Sequence, residues 1–419
     1  MKKKVWIFNH HANGMFFDNA GRHYSFAKYL KEKGYESTIF CSNAQHGTGK
    51  VFFDNDAPWH IHMNESTNIP YVFIKGRPYI GNGKDRILCM LDYYKNVKIA
   101  AEKYAEQNGI PDIIIGSQVH PLAVLVAEQL AKKYKCKCIA EFRDLWPESI
   151  VAIGLAKKIS PIIVAMRMLE KRLYKKADAI IFTLEGGYEY IIERHWDSVI
   201  PKSKVHYINN GVDLKDYDKN IEKNVINDPL LEDDQHFNVI YAGTIRRANG
   251  LEELIDSAIV LKDNENIHFL IYGDGDQLDE LKTKVEKTKL NNVFFRGRIP
   301  RNCVPYVLSR GNLNLLNYNA VAAVGFYRFG ASQNKLFEYF ASGKPILANF
   351  KTGHDLIEKY NCGISKEILN ADEYAKNLLD IVNLSHEEYE SLCRNSRDTA
   401  EKYDYKKLTD ILIGIIESL

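Results

Sequence analysis

A chain of 419 residues outruns a single ordinary hydrophobic core, so two or three domains are expected. Apolar residues at 45% and charged residues at 26% describe a soluble globular protein, not a fibrous or disordered one. A formal net charge of +2 argues against general binding to nucleic acid, and no apolar run approaches the ~18 residues of a bilayer span.

In chain order, Val5-Trp6-Ile7-Phe8 reads as a buried strand, followed by a polar loop to Gly21 and a helix with Phe26, Ala27 and Leu30 inward. Gly34 ends that helix and Ser37 to Cys41 forms the next strand. Residues 42–85, rich in Gly, Asn, His and aromatics, read as an irregular stretch of the kind that is functional or mobile. Strands recur at Asp112–Ile115, Cys138–Phe142, Ala179–Phe182 and Val205–Ile208. A second series runs through Asn238–Ala242, His268–Tyr272, Val293–Phe295, Leu313–Leu316 and Ile346–Ala348. Continuous apolar strands alternating with helical patterns imply parallel sheets covered on both faces, hence two doubly wound, Rossmann-like α/β domains. The border lies in the charged segment 209–236, giving an N-terminal domain over 1–208 and a C-terminal domain over 209–403, with a tail helix over 404–419 returning to the first. Along the tail, Leu408, Ile411, Leu412 and Ile415 share one face.

Seven cysteines without paired C-x-x-C spacing suit reduced thiols in a cytoplasmic protein, and Cys136 and Cys138 alternate across a strand, against a metal site. After Lys2-Lys3-Lys4 only Val5 to Phe8 are apolar, so no secretory leader is expected. Residues 160–176 line up Ile162, Ile163, Met166, Leu169 and Leu173, surrounded by Lys157, Lys158, Arg167, Lys171, Arg172, Lys175 and Lys176 against Glu170 alone. Two readings fit: a core-packing helix with a solvated basic face, or peripheral docking on the anionic inner face of the cytoplasmic membrane, which the aromatic loop over 51–79 also suits.

Ligands of open α/β sheets bind outside the strand C-termini, so the loops there carry the candidate chemistry. After the first strand come His10, His11 and Gly14, with Gly21 and His23 at the helix entry; the glycines permit close backbone approach. Later loops present His120, then Arg143 and Asp144. In the second half, Gly243, Arg246 and Arg247 follow one strand, Gly273 and Asp274 the next, and Arg298 the third. Asp274-Gly275-Asp276 mimics a metal-binding pattern but reads as a nucleotide-base loop in this position. The run over 332–345 reads as a helix capped by Ser332 and stopped by Gly343 and Pro345, behind an irregular loop from Gly325 to Gly330. Asn334, Lys335 and Leu336 open it, offering free backbone N–H groups and a cation to a phosphate, with Glu338 one turn on for a hydroxyl.

FRDLWPES at 142–149, NNGVD at 209–213, YAG and RANGLEELI between 241 and 255, YGDG at 272–275 and SQNKLFEYFASGKP at 332–345 together resemble the retaining, GT-B-fold glycosyltransferases of family four. The likeness spans nearly the whole chain and is greatest to the bacterial O-antigen and capsule branch that includes N-acetylfucosamine transferases. It implies two domains facing a cleft, a UDP-sugar donor in the C-terminal domain, and a polyprenyl-diphosphate-linked saccharide acceptor in the N-terminal one. Glu338 resembles the second Glu of the family's E-x7-E motif, which binds the donor ribose; the first would fall at Gly330, and the usual Arg and Lys near Thr244 and Asn249 are absent. Lys335 and Arg247, or Arg246, are inferred to supply the positive charge instead. Fixed cations make a metal unnecessary, so no cofactor is expected. The family histidine falls at Arg143, leaving His120 to contact the reacting sugar, with Asp144 either catalytic or capping the next turn. Competing readings are a nucleotide-sugar epimerase on the same architecture and a non-catalytic nucleotide-binding regulator.

Overall fold

The computed structural model describes residues 2–54, 56–81, 83–152, 154, 156–319 and 327–419. The chain forms two compact units, Met1–Asn209 with Tyr405–Leu419, and Asn210–Asp404.

Unit 1 carries β1 (Lys4–Phe8), β2 (Glu36–Ser42), β3 (Trp59–Met63), β4 (Pro70–Ile74), β5 (Ile113–Gln118), β6 (Lys137–Phe142), β7 (Ala179–Phe182) and β8 (Val205–Tyr207). They form one sheet in the order β3-β4-β2-β1-β5-β6-β7-β8, parallel except for β3 against β4. The aromatic side of its core stacks Phe8 on Phe40 at 4.6 Å and sets Trp6 against Phe40 at 5.1 Å. The tail helix Tyr405–Ser418 belongs to this unit: Tyr405 meets Phe26 edge to face at 5.6 Å, and Asp410 pairs with Lys33 at 2.7 Å. Its buried Leu408, Leu412, Ile415 and Ile416 each contribute about 1.5–3 kcal/mol, while Ile411, expected on that face, is exposed.

Unit 2 carries β9 (Phe237–Ala242), β10 (Ile267–Tyr272), β11 (Val293–Gly297), β12 (Leu313–Leu316), β13 (Ile346–Ala348) and β14 (Gly363–Ser365), all parallel in the order β11-β10-β9-β12-β13-β14. Tyr241, Leu254, Ile271, Leu315 and Leu378 anchor its core. Val212 bridges Asp404, so the segment entering this unit and the one leaving it run side by side.

Four expectations change. The stretch 42–85 is not wholly irregular: β3 and β4 pair within it, and the alternating burial of His60 to Met63 follows the two-residue period of an edge strand. Gly116, Ser117 and Gln118 are strand, not loop, since the following helix presses Ala127 against Gly116 where a Cβ would come within 2.7 Å. A helix, Leu214–Lys223, interrupts the charged border segment, capped by Asp213 accepting from the Asp216 N–H. Finally, the apolar stripe over 160–176 is split. In the helix Pro161–Lys176, Ile163 and Leu173 are buried and Ile162 faces solvent. Met166 and Leu169 are half-buried.

Candidate functional site

In both sheets the strand order reverses beside the first strand, and ligand sites of open α/β sheets lie at such switch points. In unit 2 the reversal falls between β9 and β12. The chain leaves β9 through Gly243, whose φ is 157°, a value side-chain-bearing residues rarely adopt. A Cβ there would lie 1.8 Å from the Lys335 Nζ, and a Cβ on Gly273 would lie 1.8 Å from the Gly243 carbonyl oxygen. Glycine thus lets the loops after β9 and β10 lie backbone on backbone beneath one amine.

That amine comes from the helix Asn334–Ala341, which buries Leu336, Phe337, Tyr339 and Phe340 and leaves Lys335 on its margin. Lys335 Nζ sits 4.7 Å over the Tyr241 ring and 3.3 Å from its hydroxyl. Burial lowers the Lys335 ammonium to about 8, with Glu338 opposing. Tyr241 donates to the Thr244 carbonyl at 2.8 Å and accepts from Asn249 at 2.9 Å, so Asn249 braces the loop. Arg246 and Arg247 project from the same loop, exposed, neither guanidinium having a partner among the described residues. Glu338 is half-buried and paired with Arg301 at 2.9 Å. Asp274 folds back onto the Gly275 N–H at 2.7 Å and, like Arg298 and Asn334, is exposed.

Ser332 does not cap the helix. Asn210 donates to its carbonyl at 2.7 Å and to its hydroxyl at 3.4 Å, and Gln333 takes the cap position without a side-chain bond. Among the described residues no side chain caps the first turn, where the Leu336 N–H reaches the Gln333 carbonyl at 3.2 Å. Gly325, expected in the preceding loop, lies outside the described residues.

In unit 1 the reversal falls between β1 and β5, and imidazoles gather there. His10 Nδ1 and His120 Nε2 are 3.0 Å apart, both side chains buried, and His10 Nε2 lies 3.8 Å from the Cys89 thiol. Burial, reinforced by Arg86, lowers His120 to about 3. Burial followed by neighbouring His120, His11, His46 and Arg86 lowers His10 in the same direction. His11 stacks on His46 at 4.5 Å, and burial and His46 lower it too. These shifts favour the neutral form of His10, His11 and His120, and among the described residues Nδ1 of His120 and Nε2 of His11 have no hydrogen-bond partner.

His23 belongs to a different construction. Its Nδ1 accepts from Asn9 and its Nε2 donates to Glu141, each at 2.9 Å. Arg22 and Ser117 complete the set around Glu141 at 2.8 and 2.7 Å. Burial raises the Glu141 carboxyl, yet Arg22 and His23 outweigh it and hold the group far below the usual range. Arg22 also donates to the Ile208 carbonyl at 2.9 Å. With both ring nitrogens occupied, His23 braces the sheet instead of facing a ligand. Gly14 sits inside the short helix Asn13–Asp18 with open space where a Cβ would project, so no close approach demands glycine there. Gly21, at φ 107°, starts the helix Arg22–Glu32. Arg143 is half-buried; Asp144 keeps accessible surface in a crowded recess that raises its carboxyl, Arg143 opposing.

Sequence reasoning passed over Tyr241, Arg301, His46, Cys89 and the Arg22–Glu141 pair. Tyr241 had a signal, an aromatic on a strand leading into a glycine loop. The others had none, because their partners lie far away in the chain.

Residues 22–216 match the Glycosyltransferase Family 4 domain and residues 222–399 the Glycosyl transferases group 1 domain. A curated relative, "Probable glycosyltransferase WbjE" of Pseudomonas aeruginosa, is 24% identical over 255 residues, 58% of this chain and 59% of its own length. The chain thus spans 59% of the curated relative it matches. Among solved structures, Anabaena Alr3699/HepE in complex with UDP superimposes with a TM-score of 0.68 at 15% identity over 100% of both chains. The E. coli structure described as trehalose-6-phosphate bound with UDP-2-fluoro glucose gives 0.70 at 14% identity, covering 100% of this chain and 99% of its own. A glycosyltransferase from Rickettsia africae gives 0.66 at 15% identity, covering 100% and 98%. At such identities the likeness to solved structures shows a shared GT-B fold.

Proposed function

We propose that this chain, a GT-B-fold glycosyltransferase of family four, moves a sugar from a UDP donor held by unit 2 to an acceptor held by unit 1. The observation that carries this reading is the Lys335 amine poised over Gly243, on a loop that also presents two exposed guanidiniums without a partner among the described residues. A pyrophosphate suits that arrangement: charge-assisted bonds from Lys and Arg contribute about 1.5–3 kcal/mol each. UDP as the nucleotude is supported by the complexes of Alr3699/HepE with UDP and with UDP-glucose.

In the proposed reaction the anomeric carbon–oxygen bond to the diphosphate breaks and a bond to an acceptor hydroxyl forms. The acceptor proton passes to the leaving phosphate oxygen. Lys335, the arginines and the first-turn amides of the helix Asn334–Ala341 stabilise the departing charge, so no metal is required there. Gly330 offers no nucleophile, which favours attack on the same face and retention of configuration. Glu338 would release Arg301 to accept hydroxyl bonds from the donor ribose. On the acceptor side, His120 would reach a sugar through its unpartnered Nδ1, and His10 holds the ring in place.

The acceptor is taken to be a polyprenyl-diphosphate-linked saccharide of surface polysaccharide synthesis, on the strength of the motif resemblance. No helix among the described residues is long and apolar enough to cross a membrane. Contact with an anionic membrane surface is supported by exposed Ile159, Ile162 and Met168 beside exposed Lys157, Lys158, Lys175 and Lys176.

Incubation with a panel of UDP-sugars, with and without lipid-linked saccharide, tests the reading. Acceptor-dependent release of UDP is expected. Donor consumption without acceptor would indicate an epimerase, and nucleotide binding without turnover a regulator. Co-sedimentation with vesicles that is indifferent to both salt and phosphatidylglycerol content would remove the docking on anionic lipid.

A further inference from the structure

The opposite end of the unit 2 sheet holds a second constellation that the donor site does not use. His236 and Asn238 are two residues apart where the chain enters β9, so they share one face of the strand. His268 on β10 is in register with Asn238, which brings its imidazole to that same face. The rings of His236 and His268 stack 3.8 Å apart at 12°, and Asp233 Oδ2 lies 2.6 Å from His236 Nδ1. One ligand atom from each of Asp233, His236 and His268 falls within 4.8 Å of the others, and among the described residues no other group of three His, Cys, Asp or Glu does so.

Among the described residues, two buried atoms there lack partners. His268 keeps 9% of its surface, yet its Nδ1 makes no hydrogen bond. Asn238, at 2%, donates from Nδ2 to the Leu230 carbonyl but leaves Oδ1 unmet. Phe294 closes one side with an edge-to-face contact to His268 at 5.0 Å. Two imidazoles and a carboxylate are the donor set of a borderline divalent ion such as zinc, with a fourth position left for water or the Asn238 oxygen.

We propose that Asp233, His236 and His268 form a binding site for one zinc-class divalent ion at the N-terminal ends of β9 and β10. The site is remote from chemistry, since the donor loops lie a full strand away, roughly 17–20 Å. Its effect is to staple the segment entering unit 2 onto the sheet. Asp228 already begins this stapling by accepting from Tyr272 and twice from Arg296, each at 2.7 Å.

Titration of the full chain with zinc chloride, and separately with cobalt chloride, tests the site. One equivalent should bind, cobalt should show the visible bands of low-coordinate Co(II), and zinc should raise the melting temperature. Because His268 is packed in the sheet, variants are made at the part-exposed His236→Gln and Asp233→Asn. Each should weaken zinc at least about tenfold and remove the thermal shift while keeping the wild-type circular dichroism. Absence of uptake by the wild type overturns the proposal. So does equal affinity in both variants, which would assign binding to other groups such as the unit 1 histidines.

Discussion

The two switch points share a topology and differ in everything that fills them. Beside β1, unit 1 packs neutral imidazoles and a buried Arg22–His23–Glu141–Ser117 network, with polar atoms bonded to one another. Beside β9, unit 2 removes side chains at Gly243 and Gly273 and lays a partly desolvated amine over bare backbone. Around Glu141 the first arrangement is satisfied within itself, while His120 Nδ1 and His11 Nε2 beside it stay open among the described residues; the second holds positive charge over bare backbone. A fold places a crevice, and the residues lining it decide whether the crevice braces the sheet or awaits an anion.

The largest effect should come from breaking the self-satisfied side. Glu141→Gln leaves the buried Arg22 guanidinium without its counter-charge and should cost about 3–5 kcal/mol in urea denaturation. Unchanged stability would mean that the network only decorates unit 1. On the other side, Lys335→Ala should lower transfer about 10²–10³-fold with a native melting transition, the loss typical of one preorganised group facing developing charge. Wild-type turnover would erase the contrast between the crevices. Glu338→Ala should cost about tenfold, mostly in KM, because a single charge-assisted hydroxyl bond is removed. An equal fall in kcat would instead implicate Glu338 in the chemical step.

The subtlest difference is in pH. Lys335 sits at about 8 in the folded chain, below its ordinary 10.5, so between those values the unfolded chain binds more protons. Its contribution therefore raises stability as pH climbs through that window and penalises folding below it. UDP affinity should run the other way, flat below pH 8 and weakening above it as the ammonium is lost. Calorimetry across pH 7–10 on wild type and Lys335→Met checks both signs, and a Met variant with the same pH profile would assign the effect to another group.

Much of the scaffold was legible because it rests on local pattern. Val5–Phe8, Ala179–Phe182 and Leu313–Leu316 are apolar runs with punctuation at both ends, and they are strands. β3 escaped although Trp59, Ile61 and Met63 alternate with His60 and His62, because the glycine- and asparagine-rich stretch around it reads as irregular, and β4 because Pro70 opens it. Gly116 to Gln118 read as loop since small and polar residues there answer to the helix packed above them. Ser332 looked like a helix cap until Asn210, 122 residues away, claimed its oxygens.

By itself, then, the order of residues determined two α/β units and many of the loops that lead out of their strands, since period and turn chemistry act over a few neighbours. Only the tertiary structure decided that His10 and His120, 110 positions apart, share one hydrogen bond, that Lys335 rests on Tyr241, and that Arg301 holds Glu338. Such partners are chosen by which strand ends the sheet brings together and which burial leaves a polar atom wanting. No short-range pattern in the chain encodes that choice.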